Sequence, residues 1–349
     1  MSKKALVFLS VLLMVSMLLA ACQPTETPAP TEAALEAPAE TEPEVIYKLA
    51  AIFPGVITDA DYNTLAYIGI SELQRDMGIE TAYSESVPVP DVERVMREYI
   101  DGGYNIIWTH GGQFVNKSAE VAPQFPEVIF IAEGDAPIEN PPANLWFIDR
   151  NFQVGFYGIG ATAALSTKTG EICYLGGQTL PFSYAEVHAI QQAIKDLGLE
   201  DTVEFKYVWA GDFNDPTKAR QLADSLIADG CDVIMGALNL GIFGLFEAVK
   251  AVPDKGILVT VKYIDKSSFA PNNYVTALLY DFAGPLKEIV AKVQAGETGG
   301  YYPLGFATGV SLQTPFKNVD PAIETQVTGI LNKVKDGTIV VVKDTSEIK

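Results

Sequence analysis

Side chains able to do chemistry recur at one kind of place in this sequence, directly after a short apolar run. The run 48–53 is followed by Asp59, Asp61, Tyr62 and Asn63, and the run 105–109 by His110, Gly111, Gly112, Gln113 and Phe114. Runs 128–132 and 145–148 end in Glu133-Gly134-Asp135 and Asp149-Arg150. Further on, Leu180-Pro181-Phe182-Ser183-Tyr184, then Trp209-Ala210-Gly211-Asp212-Phe213-Asn214, and finally Asn239, Lys262 and Asp281 hold equivalent positions. Flat rings beside carboxylates and amides suit non-covalent capture of a small polar molecule. The rings stack on its faces, and the polar groups satisfy its edge, where an unpaired buried donor or acceptor costs about 1–3 kcal/mol. Phe182 is the foremost stacking candidate, with stacking on a flat base worth about 1–3 kcal/mol. Each residue also has a plainer reading. Asp59 or Asp61 suits a helix cap, and a lone histidine such as His110 is commonly a structural, hydrogen-bonded one. Asp135 and Asp149-Arg150 could form a salt bridge at a hinge, and Trp209 and Phe213 could fill core space.

Covalent chemistry finds less support. Gly111-Gly112 and Gly176-Gly177 fall short of a phosphate-binding or dinucleotide fingerprint, and there is no G-x-S-x-G turn to present a nucleophile. Asp59 and Asp61, two residues apart, point in different directions in a turn or strand, which disfavours a glycosidase pair. With two histidines, three cysteines and no C-x-x-C spacing, a metal centre has few ligands available. The reading is a binding protein without cofactor or metal and not an enzyme. The alternatives are a ligand sensor for a membrane signalling receptor and, less favoured, a lipid-anchored glycoside or nucleoside hydrolase.

The elements that must position these residues alternate. Apolar runs at 48–53, 105–109, 128–132, 145–148, 171–175, 203–209, 232–235, 257–261 and 274–279 read as strands. Amphipathic stretches near 61–77, 92–101, 118–124, 152–164, 183–197, 216–229, 244–252 and 282–295 read as helices. Regular β-then-α alternation predicts an α/β fold of parallel sheets with helices on both faces, whose ligands sit at strand carboxyl ends. The pattern restarts near residue 150, which predicts two doubly wound lobes joined by a hinge. The N-terminal lobe is expected to span 46–149 plus 282–308, and the C-terminal lobe 150–281 plus 309–349, with crossings near 149–152, 280–282 and 308–311. Cys173 and Cys231 abut apolar runs of the second lobe, with buried free thiols as the default and a disulfide as the alternative.

The chain of 349 residues, 48% of them hydrophobic, is long enough for two domains with substantial cores. Its 24 basic residues against 44 acidic ones give a net charge of −20, which repels phosphate backbones and disfavours nucleic-acid binding. Residues 1–21 have the layout of a signal peptide: Lys3 and Lys4, then an uncharged run that would span only about 25 Å as a helix, short of a bilayer core. The run ends in Leu19-Ala20-Ala21-Cys22, which resembles the bacterial lipobox and implies lipidation of Cys22 and a membrane anchor. Residues 22–45, rich in Pro, Thr, Glu and Ala, read as a disordered tether.

Several segments resemble the basic membrane protein family, lipoprotein substrate-binding components of ABC transporters with the periplasmic-binding-protein type I fold. They are Ala50-Ala51-Ile52-Phe53-Pro54-Gly55 with Asp59 to Asn63, Gly103-Tyr104-Asn105-Ile106-Ile107, and 121–130 with its Phe125-Pro126-Glu127-Val128 core. Gly155 to Gly177 follows, with Tyr157, Gly160, Ala163, Ala164 and Ser166-Thr167-Lys168-Thr169-Gly170, and then Phe269-Ala270-Pro271. One branch of the family is similar to purine nucleoside receptors, which hold a base between two aromatic rings. There a ribose-binding aspartate follows the strand that here reads Leu258-Val259-Thr260-Val261, and this chain has Lys262. Near that branch's usual lysine it has Asp281, so the charges are exchanged. The resemblance implies a monomeric, lipid-anchored receptor on the extracytoplasmic face of a cell membrane. It would bind a small polar ligand, a purine base or nucleoside foremost, in an interlobe cleft by hinge closure, and would serve ABC permease and ATPase subunits.

Overall fold

A computed structural model describes residues 46–348. The expected signal peptide, Cys22 and tether lie outside the described residues. Strands β1 (Lys48–Ile52), β2 (Glu80–Ser84), β3 (Ile106–Thr109), β4 (Ile129–Gly134), β5 (Leu145–Asp149) and β11 (Gly300–Pro303) form one sheet in the order β11-β5-β4-β3-β1-β2. Strands β6 (Glu171–Gly176), β7 (Glu204–Trp209), β8 (Val233–Ala237), β9 (Leu258–Tyr263), β10 (Tyr274–Tyr280) and β12 (Val310–Leu312) form a second, in the order β12-β10-β9-β8-β6-β7. The two orders are the same motif twice. All pairings are parallel except β10 with β12. The chain passes between the sheets through residues 149–152, 280–283 and 303–310.

Alternation along buried strands decides which helices cover which face. In the first lobe, Leu49 and Ala51 meet Ala66, Ile70 and Leu73 of α1 (Tyr62–Met77) and Ile289 and Val290 of α8 (Ala283–Gln294). Ala50 and Ile52, one residue along, face Val92, Val95 and Met96 of α2 (Val92–Asp101) and Val121 of α3 (Val115–Val121). In the second lobe, Ile172 and Tyr174 pack with α4 (Phe152–Ser166) and α5 (Pro181–Asp196), whereas Leu175 and Ile234 face α6 (Pro216–Ala228) and α7 (Ile242–Lys250). The apolar cluster that holds Leu49 also holds Ile172 and Val233, so it runs from one lobe into the other. Helix starts follow local rules. Asp215 accepts from the Lys218 amide at 2.9 Å, with Pro216 in the first turn.

Both sheets and their alternation agree with the sequence reading, with differences at the margins. The edge strand β2 was not expected, because Glu80-Thr81-Ala82-Tyr83-Ser84 is short and only partly buried and lacks an apolar run. Strands β11 and β12 and helix α9 (Pro321–Lys335) were likewise not foreseen; α9 buries Val327 alone. Cys173 and Cys231 are joined in a disulfide, which corrects the free-thiol default. Pairing of β6 with β8 brings their Cα atoms to 6.0 Å. Among the described residues no helix is long and apolar enough to cross a membrane.

Two contacts hold the lobes together in a sequence-distant way. Lys266, after β9, donates to Asp61, before α1, and to the Lys262 carbonyl at 3.0 Å; both side chains are buried. Beyond α9 the chain lies along α5, where Gln192 bonds the Val340 carbonyl at 2.9 Å, and Lys343 reaches Asp149. Burial pushes the Asp61 carboxyl up to about 7 against the opposing pull of Lys266. A carboxyl raised on folding favours the folded state when protonated, and that contribution is lost as pH rises through about 7. Removing Lys266 leaves a buried carboxylate only where Asp61 is ionised. Lys266→Met is expected to lower the unfolding free energy by about 3–5 kcal/mol at pH 8 and by clearly less at pH 5, read by chemical denaturation at both values. Equal losses would show that the Asp61 charge is not what Lys266 compensates.

Candidate functional site

The switch points of the two sheets, between β1 and β3 and between β6 and β8, face a common cavity of about 440 Å³. From the first lobe come Pro54 and Gly55 after β1, Tyr62 and Asn63 at the start of α1, and Gln113 after β3. The second lobe contributes Gln178, Leu180 and Phe182 after β6, Phe213 and Asn214 after β7, Asn239 after β8, and Tyr263 at the end of β9. Arg150 and Phe152, on the first crossing, complete the lining.

Backbone conformation makes two of these approaches possible. Gly111 has φ +134°, and a Cβ there would stand 2.7 Å from Gln113 Oε1 and 3.3 Å from Pro54. At Gly177 a Cβ would stand 2.1 Å from the Phe213 ring, so the ring lies against bare backbone. Phe182 and Phe213 then stack at 6.2 Å with their planes 17° apart. Tyr263 has φ +79°, a strained conformation for an aromatic residue that turns the chain at the cavity wall.

Beneath the first-lobe wall lies a closed polar network. Tyr62 donates to Glu133 Oε2 at 2.8 Å; Trp108 donates to Glu133 Oε1 at 2.9 Å, and His110 Nδ1 meets the same oxygen at 2.8 Å. The His110 ring covers one face of Tyr62 at a centroid distance of 3.7 Å. Burial and the neighbouring Glu133 charge hold the Tyr62 phenol well above its ordinary value. Burial opposes the charge on Arg150, but Asp135, Tyr62 and Glu133 outweigh it and keep the guanidinium charged. Arg150 donates to both Asp135 oxygens and to the Tyr62 hydroxyl at 3.2 Å.

Of the sequence-predicted residues, the fold brings Tyr62, Asn63, Phe182, Phe213 and Asn239 to the cavity. Gly111 lies just behind it. Asp59 is the helix cap of its plainer reading, accepting from the Asp61, Asn63 and Thr64 amides and from the Asn63 side chain at 2.7 Å. Asp61 is taken by Lys266, His110 by Glu133, and Asp135 by Arg150, the last being the salt bridge foreseen as an alternative. Asp149 binds Lys343 and the Tyr301 hydroxyl, Trp209 packs among Tyr174, Tyr184 and Tyr207, and Asp212 turns back onto the Asn214 amide. Asp281 is exposed and caps α8 at the Gly284 amide, 3.0 Å away, outside this cavity. Lys262 is buried behind the aromatic wall. Gln113 and Arg150 also line the cavity, from strand-end segments named in the sequence, whereas Phe152, Gln178 and Tyr263 were not singled out there as ligand contacts. Tyr263 adjoins Lys262 and Phe152 ends the predicted crossing at 149–152, so position relative to strand ends was the available signal.

A family model described as "ABC transporter substrate-binding protein PnrA-like" matches residues 46–345. The chain belongs to that family. Membership in this solute-binding, non-enzymatic family sets aside the hydrolase reading, and places the chain among proteins that bind small ligands and work with an ABC permease. Basic membrane protein A2 of Borrelia garinii subsp. bavariensis is 28% identical over 305 residues, covering 85% of this chain and 88% of that protein. A Haloferax volcanii protein named for glucose binding by an ABC transporter is 26% identical over 71% of this chain and 62% of its own length. A purine-binding protein of Brucella abortus is 24% identical over 75% of this chain and 72% of its own. The solved structure of an ABC transporter solute-binding protein from Conexibacter woesei superposes with a TM-score of 0.72 at 22% identity, covering 86% of this chain and all of that one (100%). Two parallel-sheet lobes of the type I periplasmic-binding-protein fold are thus common to both.

The Glu133 network supports the Tyr62 wall, so Glu133→Ala removes the acceptor of Trp108 Nε1 and of the Tyr62 hydroxyl and the partner of His110 Nδ1, while Arg150 still bonds the Tyr62 oxygen, and is expected to cost about 3 kcal/mol of unfolding free energy. Urea denaturation monitored by tryptophan fluorescence measures it; unchanged stability would remove the network from the scaffold.

Proposed function

We propose that this protein is the lipid-anchored, extracytoplasmic receptor of an ABC importer, a monomer that takes a purine base or nucleoside into the cavity between its lobes and closes around it. The observation that carries this reading is the cavity wall, in which Tyr62, Phe152, Phe182, Phe213 and Tyr263 stand around a space of about 440 Å³. That is within the usual range for a small-ligand site. Asn63 adds an acceptor at the edge. Its Nδ2 is committed to Asp59, which fixes the amide orientation and leaves Oδ1 buried without a partner, ready for a ring N–H. The name of the Brucella abortus relative supports the purine assignment.

Residues 46–149 with 282–308 and residues 150–281 with 309–349 act in this reading as the two jaws, with the crossings as hinge. Ligand bridging them shifts the equilibrium toward the closed form by its extra affinity for that form. The loaded protein then docks on permease subunits, and the partner ATPase supplies the energy. A glucose-like ligand is the second reading, favoured by the name of the Haloferax volcanii relative.

Isothermal titration with adenosine, inosine, hypoxanthine and glucose tests the assignment. Phe182→Ala is expected to weaken purine binding by about 1–3 kcal/mol while leaving the melting temperature of the unliganded protein nearly unchanged. A large loss of unliganded stability would make Phe182 a core residue instead. Cys22→Ser is expected to move the protein from the membrane pellet to the soluble fraction, and retention in the pellet would refute the anchor.

A further inference from the structure

A buried ion pair joins the two lobes beside the cavity. Lys266, in the turn after β9, is 2% exposed, and Asp61, 205 residues earlier in the loop before α1, is 1% exposed. The Lys266 ammonium donates to Asp61 Oδ1 and, at 3.0 Å, to the Lys262 carbonyl. Each acceptor is one residue from an aromatic wall of the cavity: Asp61 precedes Tyr62, and Lys262 precedes Tyr263. The two rings, one from each lobe, have centroids 5.8 Å apart. The φ of +79° at Tyr263 is a conformation that persists only where the surroundings over-determine it, and the Lys266 bond to the preceding carbonyl is one such restraint.

Parted and closed lobes treat this pair differently. When the lobes part, each charge stays with its own lobe and is met by water. When they close, water is excluded and each charge must be met by the other. Such a pair adds little net attraction, because desolvation offsets the Coulomb gain, but it rejects every closed arrangement that leaves either charge alone. It therefore selects one register of the lobes. The charged and titratable groups facing Asp61 are Asp59 from its own loop and Lys262, Lys266 and the Tyr263 phenol from the other lobe. Burial pushes the Asp61 carboxyl up to about 7 against the pull of Lys266, so without Lys266 it stands higher still. A carboxyl raised on closing favours the closed form while protonated, and that contribution is lost as pH rises.

We infer that Lys266 is a positioning residue, a clasp that forms as the lobes meet and sets Tyr62 against Tyr263 in the closed form. This rests on the reading that the lobes close over the cavity, and adds which contact fixes their register. Lys266 itself does not line the cavity. It acts through Asp61 and the Lys262 carbonyl on the two rings that do.

The test is small-angle X-ray scattering of the full-length, unliganded protein, of Lys266→Met, and of the double variant Lys266→Met with Asp61→Asn. Each is titrated from pH 5 to pH 8 with far-UV circular dichroism alongside. The double variant removes both charges together, so neither is left buried and alone. The unaltered protein and the double variant should keep one radius of gyration throughout. Lys266→Met should expand as Asp61 ionises while its helical signal stays constant. At pH 8 Lys266→Met should also bind inosine at least about tenfold more weakly than the unaltered protein, a gap that narrows at pH 5 and is absent in the double variant. Lys266→Met that keeps the unaltered radius at pH 8 overturns the clasp, and leaves the cavity assignment standing where the unaltered protein binds inosine. Equal expansion of the double variant also overturns it, since the register would then not depend on a charge left alone. Loss of the helical signal in Lys266→Met, at pH 5 or together with the expansion, overturns it as well, because Lys266 would then support the fold and not the closed form. Failure of the unaltered protein to bind inosine overturns the purine reading, while the ligand-free scattering still decides the clasp.

Discussion

The requirement that a charge removed from water keep a partner organises the space between the two lobes. Arg150 with Asp135, Lys266 with Asp61, and Lys262 with Glu186 are all buried or nearly so, and each cation stands beside a carboxylate. An isolated buried ion is costly enough that the backbone must bring these partners together before the cavity walls can close. The first pair joins the ends of two neighbouring strands, the second joins opposite lobes, and the third joins a strand to a helix of the same lobe. Their geometry therefore couples local sheet ends to the relation between lobes.

Aromatic residues fill the spaces between these pairs. Arg150 lies over Phe152 at 4.8 Å and over Phe182 at 5.5 Å, and Lys262 over Tyr263 at 4.9 Å. Cation–π contact is stronger where water is excluded, so the rings that could grip a flat ligand also help to hold the charges behind them. A wall of this kind is stiff. Tyr62 cannot move without disturbing His110 and Glu133, and Phe213 is seated against the backbone of Gly177. Preorganised rings lose little freedom on meeting a ligand, which favours affinity over adaptability.

Much of this was legible from residue order. The α/β alternation, the restart near residue 150 and the strand-end position of Tyr62, Asn63, Phe182, Phe213 and Asn239 follow from hydrophobic periodicity and from the rule that ligands sit at strand carboxyl ends. What could not be read was which polar residue at a strand end faces the cavity and which is consumed by the scaffold. Asp59, Asp61, Asp135 and Asp149 were all plausible ligand contacts. Each meets a protein partner, and three of those partners, Lys266, Arg150 and Lys343, lie 205, 15 and 194 residues away.

Amino-acid order alone thus determined the class of the fold, since period-two and helical patterns are local properties that survive any arrangement in space. It also confined the candidate site to a set of loops. The tertiary structure decided the pairing of charges and the division between wall and support, because both depend on contacts between residues remote in the chain and on how deeply each is buried. Lys262 shows the difference: its type and place in β9 are evident from sequence, but its unused donors beside an unused acceptor of Glu186 exist only once β9 and α5 are packed together.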